Sequence, residues 1–139
     1  MIINKRKIRI EWGDCDPAGI VYFPRYFVFF DDATGALFEA AGFRKRALMK
    51  TYEFVGIPSV DVHAKFYIPS AYGEDVEIES SIAKWGRSSF EVHHRLLKDA
   101  KLAVEGFEKR VWVGPHPDKP GGMQARAIPA EVIQRFKKG

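Results

Sequence analysis

A single long apolar segment limits most strongly what this chain can fold into. Residues 26–41 place apolar side chains at helical spacing, and further Phe side chains lie outside that stripe. The helix is therefore predicted to be buried on most sides. Pro24 is tolerated in a first helical turn, and Gly42 is placed to end the helix. Gly35 costs about 1 kcal/mol of helix propensity relative to Ala, so we interpret it as a point where another backbone passes close by.

Outside this helix the sequence is dominated by alternation of apolar and polar residues, the period of β-strands. Ile8, Ile10 and Trp12 predict a short strand before the helix. The alternation is clearest from Val60 to Ile68. After the long helix, the predicted elements are a short helix at 46–51, strands at 60–68, 76–82, 90–97 and 102–113, a loop at 114–122 and a terminal helix at 129–137.

The order of these elements predicts an α+β fold in which one long helix packs on one antiparallel sheet. The chain shows no βαβ alternation, no internal repeat and no linker between domains. Its 139 residues suit a single domain. We therefore expect residues 1–139 to fold as one unit.

Composition excludes several classes of protein. Apolar residues make up 46% of the chain, which is enough for a packed core. The formal net charge of +4 is too small for a nucleic-acid-binding surface, so no nucleic-acid partner is predicted. No apolar run is long enough to span a bilayer, and the N-terminus does not look like a signal peptide. Cys15 is the only cysteine, which fits a reducing compartment. We expect a cytoplasmic protein with no membrane partner.

The residues best suited to chemistry lie in the turn-rich segment from Trp12 to Pro24, which reads WGDCDPAGIVYFP. Asp14 and Asp16 lie between glycines, directly before the predicted helix. A carboxylate beside several free backbone N–H groups suits attack on a carbonyl and stabilisation of the oxyanion that forms. Pro17 restricts Asp16 to extended backbone, from which its side chain could project out of the loop. In the alternative, both aspartates are ordinary turn residues that bond their own backbone.

Residues 13–26 read Gly-Asp-Cys-Asp-Pro-Ala-Gly-Ile-Val-Tyr-Phe-Pro-Arg-Tyr. This run resembles the signature of the 4-hydroxybenzoyl-CoA thioesterase branch of the hot-dog-fold acyl-CoA thioesterases. The resemblance continues more weakly through Val-Gly-Ile-Pro at 55–58 and Lys-Trp-Gly-Arg-Ser-Ser-Phe at 84–90. It implies a hot-dog fold, an antiparallel sheet wrapped around one long central helix.

The resemblance also implies roles for particular residues. In the family, the aspartate of the Asp-Pro-Ala-Gly run, here Asp16, is the catalytic carboxylate, which attacks the thioester carbonyl or acts as general base for water. The backbone N–H at the position of Phe23 holds the thioester oxygen, and Asp14 is then a structural turn residue. An aspartate matching Asp31 lies near the ring hydroxyl of the acyl group, which makes Asp31 a candidate for substrate binding. Alternatively, Asp31 and Asp32 interact with the helix dipole.

Arg87 and Ser89 are the predicted CoA-binding residues. They lie where one predicted strand turns into the next, and arginine and hydroxyl groups there can bind phosphate oxygens. The resemblance implies the same, because the family uses this segment for the CoA nucleotide. Gly86 and Ser88 depart from the family pattern, since relatives can carry basic residues at those positions.

The histidines give a weaker signal. His63 lies on the polar face of a predicted strand, where it is either a satisfied or exposed residue or a contact to substrate, and we retain it as a substrate-binding candidate. His93 and His94 are adjacent, so they point to opposite faces of a strand. No set of residues has the spacing of a zinc site, and neither a metal nor a cofactor is predicted.

Three functions remain open from the sequence. The first is hydrolysis of an arylacyl-CoA, such as 4-hydroxybenzoyl-CoA, to the carboxylic acid and free CoA. The second is a thioesterase for short aliphatic or carrier-bound acyl groups, and the third is a non-catalytic acyl-CoA-binding protein, against which the intact Asp16 argues. Hot-dog proteins pair their sheets edge to edge, so the resemblance implies a homo-oligomer, a dimer that assembles into a tetramer.

Overall fold

The computed structural model describes all residues from 1 to 139. One helix, α1 (Pro24–Ala40), lies against an antiparallel sheet of β1 (Asn4–Arg9), β2 (Ser59–Phe66), β3 (Asp75–Trp85), β4 (Ser89–Lys98) and β5 (Lys101–Val111). The strand order across the sheet is β1-β3-β4-β5-β2. The remaining elements are α2 (Lys45–Thr51), a hairpin of β6 (Val113–Pro115) and β7 (Met123–Ala125), and α3 (Ala130–Lys138). The predicted α+β plan is confirmed.

Helix α1 forms where its apolar pattern predicted it. Phe30 and Leu37 are fully buried against the sheet, and Pro24 occupies the first helical position. Gly42 ends the helix with a φ of +92°, which favours glycine. The explanation offered for Gly35 is wrong within one chain, because a Cβ built there would meet no atom of the same chain within 4 Å.

The predicted strands after α1 are confirmed, with ends that shift by a few residues. The strand predicted from Ile8 to Trp12 is displaced, since β1 ends at Arg9 and Trp12 lies in a single 3-10 turn, Trp12–Asp14. The Trp12 ring packs edge-on against Tyr72 near the surface, so its apolar side chain does not mark a buried strand position. The loop predicted at 114–122 also contains paired backbone, because part of β6 falls within it.

Strand β2 lies at one edge of the sheet and is incompletely covered. Val62 pairs with Glu108 and Phe66 pairs with Val104, two buried residues of β5, so both side chains point to the face on which α1 lies. They are nevertheless 44% and 49% exposed. Apolar side chains exposed along an edge strand favour pairing with another chain.

None of the three helices is both long and apolar enough to cross a membrane.

Candidate active site

The loop between β1 and α1 folds into a tight turn around Asp16. Cys15 and Val21 pair as an isolated antiparallel bridge, and the Asp16 N–H donates to the Ile20 carbonyl over 3.0 Å. The Gly19 N–H donates to the Asp16 carbonyl over 2.9 Å, with Gly19 at a φ of +85°. The ends of the loop are therefore held together by its own backbone.

The side chain of Asp16 does not project freely from this turn. Its Oδ1 accepts a hydrogen bond from the Ala18 N–H over 2.8 Å, the arrangement of an Asx turn. The prediction that the Asp16 side chain projects out of the loop is therefore correct for Oδ2 only. Oδ2 accepts no hydrogen bond within the chain, and the residue is only partly buried. One carboxylate oxygen is thus oriented by the turn while the other is available.

Asp14 has a different environment, although it lies only two residues away. It is buried, its Oδ2 accepts from the Glu11 N–H over 2.9 Å, and its Oδ1 accepts from Arg25 Nε and Nη2 over 3.0 and 2.9 Å. Because Arg25 belongs to the first turn of α1, this ion pair fixes the loop to the helix. Asp14 is the structural residue that the sequence predicted.

The start of α1 leaves one backbone donor unused. Pro24 has no N–H, and the Arg25 and Tyr26 N–H groups donate to the Tyr22 and Phe23 carbonyls. The Phe23 N–H donates to no acceptor within the chain. It lies at the positive end of a 17-residue helix, where an oxygen that gains negative charge is stabilised.

A cleft of about 970 Å³ opens farther along α1. One wall is α1 itself, with Asp31 and Gly35, and the other is the segment Val55–Pro58, whose backbone is bonded to residues 111 and 113. Asp31 lies well beyond the first turn, where the helix-dipole effect has decayed, so that alternative is wrong. The cleft is large enough for an acyl group. No residue of the 12–24 loop lines it.

A buried ion pair lies beneath this cleft, and sequence reasoning missed it. Arg110 donates from Nε to Glu108 Oε1 over 3.0 Å and from Nη2 to Asp31 Oδ1 over 2.7 Å. Burial opposes ionisation of Glu108, but hydrogen bonds from His94 and Arg110 outweigh it and hold its pKa below the usual range. Burial likewise disfavours the charged guanidinium, yet Glu108 and Asp31 raise the pKa of Arg110. Two opposite charges at inward-facing positions of one predicted strand were the available signal.

Arg87 and Ser89 lie at the β3–β4 hairpin, as predicted. Arg87 is exposed and forms no ion pair within the chain. Gly86 has a steric reason to be glycine, because a Cβ there would come within 2.7 Å of Ser89 Oγ. The 12–24 loop instead pairs with residues just before β3. Since β3 has 11 residues, about 30 Å of strand separates the hairpin from that loop.

His63 lies apart from both the loop and the cleft. It pairs with Phe107 on the sheet face opposite α1, and the two rings stack with centroids 4.5 Å apart. His93 lies on the same outer face and contacts Glu105, whereas His94 is fully buried on the inner face. No three His, Cys, Asp or Glu side chains converge closely enough to hold a metal ion.

Comparison with known proteins supports the motif resemblance over most of the chain. Residues 10–136 match the model of the thioesterase-like superfamily. The 4-hydroxybenzoyl-CoA thioesterase of Pseudomonas sp. (strain CBS-3) is 33% identical over 132 residues, covering 91% of this chain and 92% of that protein.

Two solved structures show the same fold over nearly the whole chain. A mutant of 4-hydroxybenzoyl-CoA thioesterase, complexed with 4-hydroxybenzoyl-CoA, superposes with a TM-score of 0.88 at 30% identity, covering 96% of this chain and 98% of that one. A gentisyl-coenzyme A thioesterase superposes with a TM-score of 0.81 at 29% identity, covering 96% and 99%. The chain therefore belongs to the thioesterase-like superfamily and is a thioester hydrolase with the hot-dog fold.

Proposed function

We propose that the protein is an acyl-CoA thioesterase that hydrolyses an aryl-CoA, such as 4-hydroxybenzoyl-CoA, to the carboxylic acid and free CoA. The observation that carries this proposal is the placement of two groups on one loop: Asp16 with an available oxygen, and the unused Phe23 N–H at the start of α1. The names of two relatives, which act on 4-hydroxybenzoyl-CoA and gentisyl-CoA, support a hydroxylated aryl group. Residues 1–139 would act as one thioesterase domain.

In the proposed reaction, the thioester oxygen accepts a hydrogen bond from the Phe23 N–H, which stabilises the oxyanion. By one route, Asp16 attacks the carbonyl carbon, CoA leaves as the thiolate, and water hydrolyses the acyl–aspartate anhydride. By the other, Asp16 takes a proton from water, which attacks the carbonyl directly. Both routes give the same products, the carboxylic acid and free CoA.

In this proposal, residues in different parts of the fold contact different parts of the substrate. Asp31 lines the cleft and would contact the acyl group, while exposed Arg87 and neighbouring Ser89 would bind the CoA phosphates. His63 remains a predicted substrate contact, although its position on the outer face gives this role no support from within one chain.

Release of free thiol from a panel of CoA esters tests the proposed function. The panel contains 4-hydroxybenzoyl-CoA, benzoyl-CoA, short aliphatic acyl-CoA and a carrier-bound acyl chain. We expect the highest kcat/KM with the hydroxylated aryl ester. Highest activity with an aliphatic or carrier-bound chain would favour the second function considered from sequence. Binding of CoA esters without thiol release would identify a non-catalytic binding protein.

We also propose that the active form is a homodimer that assembles into a tetramer. Val62 and Phe66 leave apolar surface uncovered on the edge strand β2, which a second copy would cover. Within one chain Arg87 lies far from Asp16, so a site shared between subunits would bring the CoA-binding and catalytic residues together. A cytoplasmic location remains a prediction from the sequence.

Light scattering at micromolar concentration tests the assembly. We expect a dimer or a tetramer for the wild-type protein and a smaller species for Phe66→Asp, which places a charge on the proposed interface. Lys101→Ala, at the first residue of β5 and outside β2, also makes the chain more negative by one charge and serves as the control. A wild-type protein that is only monomeric and still hydrolyses acyl-CoA would contradict a shared site.

A further inference from the structure

A chain of buried polar side chains runs from the centre of the sheet to the cleft. His94, which is fully buried, contacts Ser80 Oγ through Nδ1 over 2.7 Å and Thr34 Oγ1 through Nε2 over 3.2 Å. The Thr34 hydroxyl donates to Glu108 Oε1 over 2.6 Å. Since that proton is committed to Glu108, Nε2 must donate, which places a proton on it. Both Glu108 oxygens then accept from Arg110, at 3.0 and 3.2 Å.

Arg110 joins the two walls of the cleft. Its Nη1 donates to the Ile57 carbonyl over 2.9 Å, and its Nη2 donates to Asp31 Oδ1 over 2.7 Å. Together with its bonds to Glu108, four of the five guanidinium N–H groups have acceptors. A guanidinium held in this way has a fixed plane, which a lysine ammonium would not reproduce. The position of Asp31 is therefore determined by a group that is itself immobilised from below.

Asp31 is exposed, and Arg110 does not need it for neutralisation. The Asp31 side chain is 68% exposed, whereas those of Arg110 and Glu108 are 6% and 5% exposed. Glu108 already balances the guanidinium, so Asp31 adds a further negative charge at the cleft. Only Oδ1 of Asp31 is bonded within the chain, and Oδ2 has no partner. The Asp31 carboxylate thus presents an oriented acceptor to the cleft.

We propose that Arg110, anchored by Glu108, is a positioning residue for recognition of the acyl group. It fixes the Asp31 carboxylate so that the free oxygen accepts a hydrogen bond from a hydroxyl on the ring of the substrate. This inference rests on the proposed function, because it assigns the acyl group to the cleft. It concerns binding of the acyl group and leaves the reacting carbonyl to the 12–24 loop.

Binding of two uncleavable thioether ligands tests the proposal independently of hydrolysis. The ligands are S-phenacyl-CoA with and without a para-hydroxyl group, and their Kd values are measured by calorimetry on the intact protein. We expect the hydroxyl to improve wild-type affinity about tenfold, the scale of one hydrogen bond to a charged acceptor. Asp31→Ala should abolish this preference. Arg110→Lys should reduce it below about threefold, with little change for the ligand without the hydroxyl.

A double-variant comparison separates positioning from general support of the fold. If Arg110 acts through Asp31, adding Arg110→Lys to Asp31→Ala should cause no further loss of preference. Arg95→Lys is the matched control, because Arg95 is also a strand arginine paired with a glutamate, on the exposed side of the sheet. It should keep the wild-type preference. If Arg110→Lys does not fold, Glu108→Gln takes its place and should lower the preference at least about threefold.

Several outcomes would overturn the inference. Equal loss of affinity for both ligands in Arg110→Lys would show that Arg110 only supports the fold, and an unchanged preference in a folded Glu108→Gln would show that the anchor has no effect. A wild-type protein that binds both ligands equally, or neither, would show that Asp31 recognises no ring hydroxyl. Absence of thiol release from any thioester, with the hydroxyl preference intact, would instead refute the proposed hydrolysis and leave this inference standing.

Discussion

Asp16 and Glu108 are two carboxylates in opposite surroundings. Asp16 lies in a surface turn, where one oxygen accepts from the Ala18 N–H and the other has no partner within the chain. Glu108 is buried, and both of its oxygens accept hydrogen bonds from side chains. A buried carboxylate whose two oxygens are both bonded to side chains maintains a geometry, whereas one with an unbonded oxygen at the surface can react with or bind another molecule. The comparison predicts that substitutions at the two sites affect different properties.

Removal of the Glu108 carboxylate should have the largest effect of all the predicted substitutions, and this effect is a loss of folding stability. Glu108→Ala leaves Arg110 buried with its main partner gone, which should lower the free energy of unfolding by about 3–5 kcal/mol. Urea unfolding followed by circular dichroism measures this loss. Glu91→Ala, at an exposed position of β4, is the control and should stay within about 0.5 kcal/mol of wild type. Similar small losses in both variants would mean that the buried pair contributes nothing.

Asp16→Asn should show the converse, a loss of turnover with little loss of stability. The amide oxygen can still accept from the Ala18 N–H, so the turn should survive. Turnover of the best CoA ester should fall by at least about 100-fold, because an amide is neither a nucleophile nor a base here. Asp14→Asn is the matched control in the same loop, and it should mainly lower stability, since it weakens the ion pair with Arg25. Near-wild-type turnover in Asp16→Asn would remove this residue from the mechanism.

The pH dependence of the free energy of unfolding should also show the contribution of ionised Glu108. Hydrogen bonds from His94 and Arg110 lower its pKa in the folded protein despite burial. The contribution of Glu108 to stability should therefore be fully present above about pH 4.3, the pKa of an unperturbed glutamate. It should be lost as the pH falls through the lower folded pKa. The difference in unfolding free energy between wild type and Glu108→Gln should shrink from pH 7 to pH 3, and a constant difference would contradict this assignment.

The fold could be predicted from the sequence more fully than the surroundings of the charged side chains. The period of two from Val60 to Ile68 and the apolar stripe of α1 gave the sheet and helix, because strand and helix periods are local properties. The end of the first strand was predicted wrongly because Trp12 was taken as a buried strand position, whereas an apolar side chain can also pack on the surface. Its partner Tyr72 is distant in sequence, and no local pattern indicates that contact.

The candidate site shows the same division. The motif predicted roles for Asp16 and Phe23, and the wider family resemblance predicted one for Asp31. Their places in the loop and on α1 follow from the chain itself, whereas their roles stay predictions. The network through Arg110 was missed because it joins residues of α1 and β5 that lie 79 positions apart. Alternation along β5 shows that Glu108 and Arg110 share a face, but only the sheet register puts that face under α1. Long-range pairing of this kind is set by tertiary packing.

Arg87→Ala should have a moderate effect, confined to binding. Arg87 is exposed and unpaired within the chain, so its proposed contact with CoA phosphate is partly screened by salt. We expect KM for acyl-CoA to rise several-fold with little change in kcat, the pattern of lost uniform binding. The effect should shrink with an acyl-pantetheine that lacks the nucleotide. Lys101→Ala, at the first residue of β5, is the control. Equal losses with both substrates would indicate a role for Arg87 in the fold.

The smallest predicted effect compares two glycines, one on the exposed side of α1 and one on β5 under α1. A Cβ at Gly35 would enter open space, whereas a Cβ at Gly106 would come within 2.5 Å of the Phe30 ring. Gly35→Ala should therefore raise the free energy of unfolding by about 1 kcal/mol through helix propensity. Gly106→Ala should lower it by about 1–3 kcal/mol through overpacking. Thermal unfolding of both variants measures the two signs. Destabilisation by Gly35→Ala would mean that another group fills the space beside this glycine, as a second copy of the chain would.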